Sequence, residues 1–270
     1  MSDIVLSSSV RSNLLQLQQT SDLIGTTQTK LATGKRVNSA LDNPSNYFTA
    51  QSLDNRASDL SNLLDSMSSG INTIQAANNG LSSITKLVQS AQSLVSQAQQ
   101  TSDTTTRASL ATQFDAIRTQ ITQLAGDSGF NGTNLLSGNN LTVTLNESGS
   151  STTTINGVTD TAAGLSINAT TNSWADTNAI TASGTDLTNA LTSLRSQAQT
   201  LGSNLSTVQI RQDFTKATIN TLQAGSSALT LADSNQEGAN LLALQTRQQL
   251  STTALSLASQ ADQNVLKLFQ

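Results

Sequence analysis

Apolar residues recur at spacings of three and four along most of this chain, and one central stretch breaks the pattern. Leu53, Ala57, Leu60, Leu64, Met67, Ile71, Ile74, Ala77, Leu81, Ile84, Val88, Ala91, Val95 and Ala98 keep one face of a helix apolar. At 1.5 Å per residue that helix is roughly 75 Å long, more than a compact domain needs, so the pattern predicts a rod. Its stripe slips where Ile71, Ile74 and Ala77 follow at three and three, near Gly70 and Gly80. Each glycine costs about 1 kcal/mol in a helix interior, which is tolerable where another backbone packs close.

Weaker stripes flank this helix. Val10, Leu14, Leu17, Ile24 and Leu31 are interrupted by polar Ser21 and Gln28. Gly34 stops that helix and Pro44 marks a second break, leaving GKRVNSALDN as an irregular connector packed by Val37, Ala40 and Leu41. Leu110, Phe114, Ile117, Ile121 and Leu124 predict a shorter helix, and GDSGFNGTN reads as consecutive turns. The period becomes two at Leu141, Val143 and Leu145, alternating with Thr142 and Thr144, and Gly164 to Ala169 offers a second strand. Helical spacing returns at Leu187, Leu191, Leu194, Ala198, Leu201, Leu205 and Val208, then shifts phase through Ile210, Phe214 and Ala217. Gly225 and the Asp233 to Gly238 region separate it from a last helix carrying Leu250, Ala254, Leu257, Ala261, Val265 and Leu268. The fold class expected is mainly α, an elongated rod of long coiled-coil-like helices from both chain ends, with a small β-hairpin element in the middle.

Composition narrows the function. With 36% hydrophobic and 3% aromatic residues the chain suits thin helix-on-helix layers better than a thick core. Only 11% of residues are charged, so Gln, Ser, Thr and Asn cover the surface, which favours close lateral contact over repulsion. A net charge of -4, with no basic run longer than Lys35-Arg36, argues against nucleic acid and anionic membrane as partners. No segment offers the roughly 20 apolar residues that cross a bilayer. The start MSDIVLSSSV has no secretory-signal pattern, so the expectation is a cytosolic protein or one exported without a cleaved signal.

Candidate chemistry is sparse. The chain has no cysteine and no histidine, which removes disulfides, thiolate sites and the commonest base. Asp233, Asn235, Glu237 and Gly238 follow the first half of a calcium loop, but Leu244 stands where its bidentate acid is needed, so a helix-capping turn is the better reading. Gly34-Lys35 lacks the upstream glycine and following hydroxyl of a phosphate loop. Asp54, Asp59 and Asp65 have no apolar surroundings to separate two carboxylates into an acid and a base. Asn-x-Thr triplets such as Asn140 to Thr142 are expected by chance in so Asn- and Thr-rich a chain. Trp174 lies in an exposed-looking segment and reads as a cover for the β element or a contact to a neighbour, a structural role in either case. No cofactor, metal or catalytic residue is expected.

Three segments, in order, resemble one family. LATGKRVNSALDNPSN (Leu31 to Asn46) is similar to the flagellin signature that closes the first helix. GFNGTNLL (Gly129 to Leu136) resembles the flagellin turn after the third helix, and LASQADQNVLKLF (Leu257 to Phe269) resembles the family's closing helix. Asp42-Asn43-Pro44 departs from the usual acidic pair followed by alanines, and the middle is too short for large outer domains.

The resemblance implies a slim structural subunit that polymerises into the bacterial flagellar filament for swimming motility, secreted to the cell exterior. It implies inner-tube helices in 1–36 and 231–270, an outer-tube helical domain in 37–137 and 185–230, and a variable surface insertion in 138–184. Leu6, Val10, Leu14, Leu17, Leu250, Ala254, Leu257, Ala261, Val265 and Leu268 would pack the inner tube. Gly34, Arg36, Asn38, Ser39 and Asp42 would form the connecting spoke. Leu60, Leu64, Ile71, Leu81, Phe114, Ile117, Leu194 and Leu201 would pack the outer-tube helices. Implied partners are other copies of the chain, the flagellar export apparatus, an export chaperone, the filament cap and hook-associated proteins. Gln89 and Gln92 stand where flagellins detected by the animal innate receptor carry charges, so recognition there is expected to be weak. A hook-filament junction protein, or a secreted adhesin or needle-type helical protein, is the alternative. An enzymatic insert is disfavoured, because 138–184 carries only Glu147, Asp160 and Asp176 as acids.

Overall fold

A computed structural model describes residues 8–268. Among the described residues the elements are five helices, α1 (Ser8–Thr33), α2 (Pro44–Gln100), α3 (Thr104–Asp127), α4 (Thr177–Thr230) and α5 (Ser234–Leu268), and one antiparallel ribbon of β1 (Leu141–Thr144) and β2 (Thr152–Ile155). The chain divides into two units, residues 1–55 with 221–270 and residues 56–220.

In the larger unit the core of α2 is a strict repeat. Leu60, Leu63, Met67, Gly70, Ile74, Ala77, Leu81, Ile84, Val88, Ala91, Val95 and Ala98 are buried at alternating steps of three and four. This 3.5-residue period is the seam of a coiled coil. The slip expected near Ile71 does not occur, because Gly70 occupies a seam position and the heptad runs through it. A Cβ there would stand 2.8 Å from Val143 Cγ2. The glycine thus admits a side chain of β1, not the neighbouring backbone the sequence suggested. At Gly80 a Cβ would come within 2.6 Å of Ser128 Cβ and 2.9 Å of Leu136 Cδ1, so this glycine makes room for the turn after α3.

That turn is built by its own residues. Asn131 and Gly132 have φ of 46° and 79°, and Phe130 and Thr133 exchange backbone hydrogen bonds across them, the geometry of a two-residue hairpin turn. Buried Asn134 donates through Nδ2 to the Ala125 and Gly126 carbonyls at 2.8 and 2.9 Å. Its Oδ1 accepts from the Leu136 amide at 2.9 Å. These bonds satisfy carbonyls that the last turn of α3 leaves free.

Four expectations change here. The strand partner of β1 is Thr152–Ile155, with Leu141 opposite Ile155 and Thr144 opposite Thr152. Gly164 to Ala169 is instead a turn, with Ser166 at φ 56° and Leu165 and Ile167 buried. Helix α4 begins at Thr177, inside the stretch read as an insertion, and passes through Gly225 to Thr230. Its buried face after Val208 continues through Thr215, Ile219 and Leu222, leaving Ile210 and Phe214 exposed. Trp174 is fully buried, its ring 5.0 Å from Phe114 and its Nε1 donating to Ser183 Oγ at 3.1 Å. Asn172, Ser173 and Trp174 all have positive φ, a left-handed turn that aims the indole inward. Trp174 therefore plugs the helix core and does not cover the β element.

Candidate assembly surfaces

In the smaller unit α1 packs against α5. The face of α1 turned inward carries Val10, Asn13, Leu17, Thr20, Ile24, Thr27 and Leu31. Ser21 and Gln28, read as polar seam positions, point to solvent, and Thr20 and Thr27 fill the seam. Thr20 conceals its hydroxyl by donating to the Gln16 carbonyl at 2.8 Å. On α5 the inward face carries Leu241, Leu244, Gln248, Ser251, Leu255 and Ala258. Lys30 Nζ lies 3.6 Å from Glu237 Oε1 across the pair.

The stripe the sequence marked on α5 is a different one. Leu250, Ala254, Leu257 and Ala261 all lie one position before seam residues or their continuation, hence about 100° around the helix. They are exposed, Leu250 at 67% and Leu257 at 62%. On α1, Val10 is buried, Leu17 half-buried, and Leu14, Leu15 and Leu23 exposed. Leu6 lies outside the described residues, as do the side chains of Val265 and Leu268. A two-helix pair has one seam, and here that seam is filled while a second apolar stripe is left in water. Burying a leucine side chain is worth about 1.5 to 3 kcal/mol. The stripe is thus a reservoir of association energy.

The connector is tightly built within the same unit. Gly34 adopts φ 66°, and its carbonyl accepts from the Ala232 amide at 3.0 Å. The Arg36 and Val37 amides both donate to the Thr230 carbonyl, and Arg36 Nη2 donates to the Leu229 carbonyl at 3.2 Å. Asp42 Oδ2 accepts from the Asn38 and Ser39 amides, each at 2.9 Å, and from Ser39 Oγ at 3.3 Å. Val37 is buried and Ala40 half-buried, but Leu41 is 95% exposed, contrary to its expected packing role. The Asp42 turn consumes the backbone donors on its inner side, so its apex side chain faces outward.

The amides of Asn38 and then Ser39 hold the Asp42 carboxyl below the ordinary aspartate range. A depressed folded-state value means the turn is held above the ordinary value and released as pH falls through the folded one. Hydrogen-exchange protection at Asn38 and Ser39 should therefore fall on acidification, after correction for intrinsic rates. Asp42→Ala should remove it at every pH; unchanged protection in that variant would contradict the turn's assignment.

The outer-tube candidates all sit in the larger unit. Leu60, Ile71, Leu81, Phe114, Leu194 and Leu201 are buried, and Leu64 and Ile117 half-buried. The sequence missed Leu63 and gave Gly70 and Trp174 other neighbours than the ones they have. Leu63 competed with Leu64 for the same turn, and the other two carry no periodic signal. Asp54, Asp59 and Asp65 are exposed, and no group of three or more His, Cys, Asp or Glu converges among the described residues. Asp233 accepts from the Asn235 and Gln236 amides through Oδ1 at 2.9 and 3.2 Å, the bonding of a helix N-cap. No described helix is long and apolar enough to cross a membrane.

The family models and the curated relatives that the chain matches are of one family. The bacterial flagellin N-terminal helical region matches residues 4–141, and the bacterial flagellin C-terminal helical region matches residues 185–269. Flagellin FljM of Caulobacter vibrioides is 30% identical over 259 residues, covering 95% of this chain and 94% of that protein. The flagellin of Brucella melitensis is 30% identical over 285 residues, covering both chains in full. The crystal structure of Bacillus cereus flagellin aligns with a TM-score of 0.48 at 24% identity, over 57% of this chain and 88% of that one.

Proposed function

The chain belongs to the bacterial flagellin family, and from that premise we propose that it assembles through the exposed stripe of α5 and the apolar side chains left open on α1. Its function is that of a structural subunit, not an enzyme, which polymerises with copies of itself into the flagellar filament that drives motility. It works at the extracellular flagellum. Contacts that repeat head to tail without closing generate a helical filament, the geometry a propeller requires.

One observation carries the assembly reading. The seam between α1 and α5 is already filled within the chain, yet Leu242, Leu250 and Leu257 remain more than half exposed. The only chemistry they offer is burial, and a neighbouring copy supplies the same kind of surface. In this reading 1–36 and 231–270 line the inner tube, 37–137 and 185–230 build its outer wall, and 138–184 reaches the outer surface. Gly34, Arg36, Asn38, Ser39 and Asp42 then act as a stiff spoke. Deleting residues 240–270 should abolish filaments, and normal long filaments from the truncated chain would refute the tube assignment.

The same premise gives finer partners: the flagellar export apparatus, an export chaperone, the filament cap and hook-associated proteins. The family match does not favour the junction-protein or adhesin alternatives. Gln89 is exposed on α2 and Gln92 half-buried. Neutral amides form hydrogen bonds about half as strong as charge-assisted ones, so the purified monomer should be a poor agonist of the animal flagellin receptor. A potent response in a receptor reporter assay would overturn that.

A further inference from the structure

Residues 135–138 and 158–160 pair side by side after the turn that closes α3. The Val158 amide donates to the Leu135 carbonyl at 2.7 Å, the Gly138 amide to the Val158 carbonyl at 3.1 Å, and the Asp160 amide to the Leu136 carbonyl at 2.9 Å. Beyond Asp160 the chain is pinned again. The Ala162 amide donates to Thr122 Oγ1 at 3.3 Å, and the Ile167 amide to the Ala162 carbonyl at 2.8 Å. Asp160 is held from both sides and is wholly buried. Its carboxyl cannot swing out to water without dismantling these bonds.

The carboxyl meets α4 at Gln197. Asp160 Oδ1, Asp160 Oδ2 and Gln197 Oε1 are all buried, and none has a hydrogen-bond partner among the described residues. Three buried acceptors with only the Gln197 amide beside them form an unstable cluster, since an unpaired buried polar group is costly and a charged one more so. The missing species is a donor. Among the described residues no cation fills the role. On α3, Arg118 spends Nε on the Ile167 carbonyl at 2.9 Å and Nη1 on Asp115 at 3.2 Å. On α4, Asp186 accepts from Asn168 at 3.0 Å, and Arg195 lines a different groove together with Lys86 of α2. Burial pushes the Asp160 carboxyl up, the Gln197 amide pulls it partly back, and no charged group contributes.

We propose that Asp160 carries a proton in the folded protein and closes a two-bond ring with the Gln197 carboxamide, making the seating of residues 158–167 on α3 and α4 an alkali-sensitive latch. In the ring the carboxyl O–H donates to Gln197 Oε1, and Gln197 Nε2 donates to the carboxyl C=O. One proton thereby satisfies all three orphaned oxygens. When hydroxide removes it as water, the amide can serve only one carboxylate oxygen, and the rest of the charge stays buried and unpaired.

The sign follows from a folded-state value raised above the unfolded one. The latch contributes fully below the ordinary aspartate value, and its contribution is lost as pH rises through the folded value. Asp160→Asn keeps the shape and supplies a permanent donor. Two measurements on the full-length monomer decide the matter. In carboxyl carbon-13 NMR of the wild-type chain, the Asp160 resonance should stay in its protonated position after the other aspartates have titrated. In thermal unfolding, Asp160→Asn should match the wild type near about pH 4 and exceed its Tm by a margin that widens toward about pH 9. An Asp160 resonance that titrates with the other aspartates overturns the proposal, as does a variant less stable than the wild type across the whole range. Should the variant fail to fold, the resonance of the wild-type chain decides alone.

Discussion

Trp174→Ala should destabilise the larger unit by about 3 to 5 kcal/mol, the range for deleting a large aromatic side chain from a packed core. The indole is fully buried, stacks at a tilt 5.0 Å from Phe114, and anchors its Nε1 on Ser183 at 3.1 Å. Its removal opens a cavity where the left-handed turn meets α3 and α4. It also removes the reason for that turn, since left-handed backbone costs about 1 to 2 kcal/mol per residue at Asn172, Ser173 and Trp174. Urea unfolding followed by helical circular dichroism measures the effect, because the chain has no other tryptophan to report by fluorescence. Trp174→Phe should retain most of the packing and lose chiefly the hydrogen bond, about 1 kcal/mol. Equal costs for the two variants would mean that the pocket does not read the size of the ring.

Leu250→Ser with Leu257→Ser should leave the monomer folded and abolish its growth into filaments. Both side chains are exposed in the isolated chain, so substitution removes little from its own core. At about 1.5 to 3 kcal/mol each, burial of the two leucines contributes about 3 to 6 kcal/mol per subunit added. Since about 1.4 kcal/mol is tenfold in an equilibrium, the critical concentration for polymerisation should rise by at least about a hundredfold. Leu255→Ser is the counterpart. Leu255 faces α1, so its loss should lower the stability of the helix pair before any neighbour is involved.

The contrast between Leu250 and Leu255 also shows where sequence reading stops. Period alone located α5 and showed that it is amphipathic, but a helix apolar on two adjacent faces does not reveal which one its own chain covers. The more continuously apolar stripe is the outward one, as the proposed contact between copies requires. The inner seam tolerates Gln248 and Ser251. Helix α2 was legible in its apolar face from Leu60 to Ala98, and Gly70 misled only because a glycine in the seam looks like a missing residue. The connector and the Asn131-Gly132 turn were legible because their residues make the bonds themselves, as Asp42 and Asn134 do. Trp174 was not, since three consecutive left-handed residues without a glycine carry no compositional mark. β2 was not either, as Thr152, Thr153 and Thr154 form a strand only against the face of β1.

The most direct test of assembly through the second α5 stripe is seeded polymerisation of the wild type and the Leu250→Ser, Leu257→Ser variant, read by negative-stain microscopy and pelleting, with circular dichroism of each monomer as control. Long filaments from the wild type and none from an equally helical, equally stable variant are the predicted result. Filaments of normal length from the variant, at the wild-type critical concentration, would contradict it.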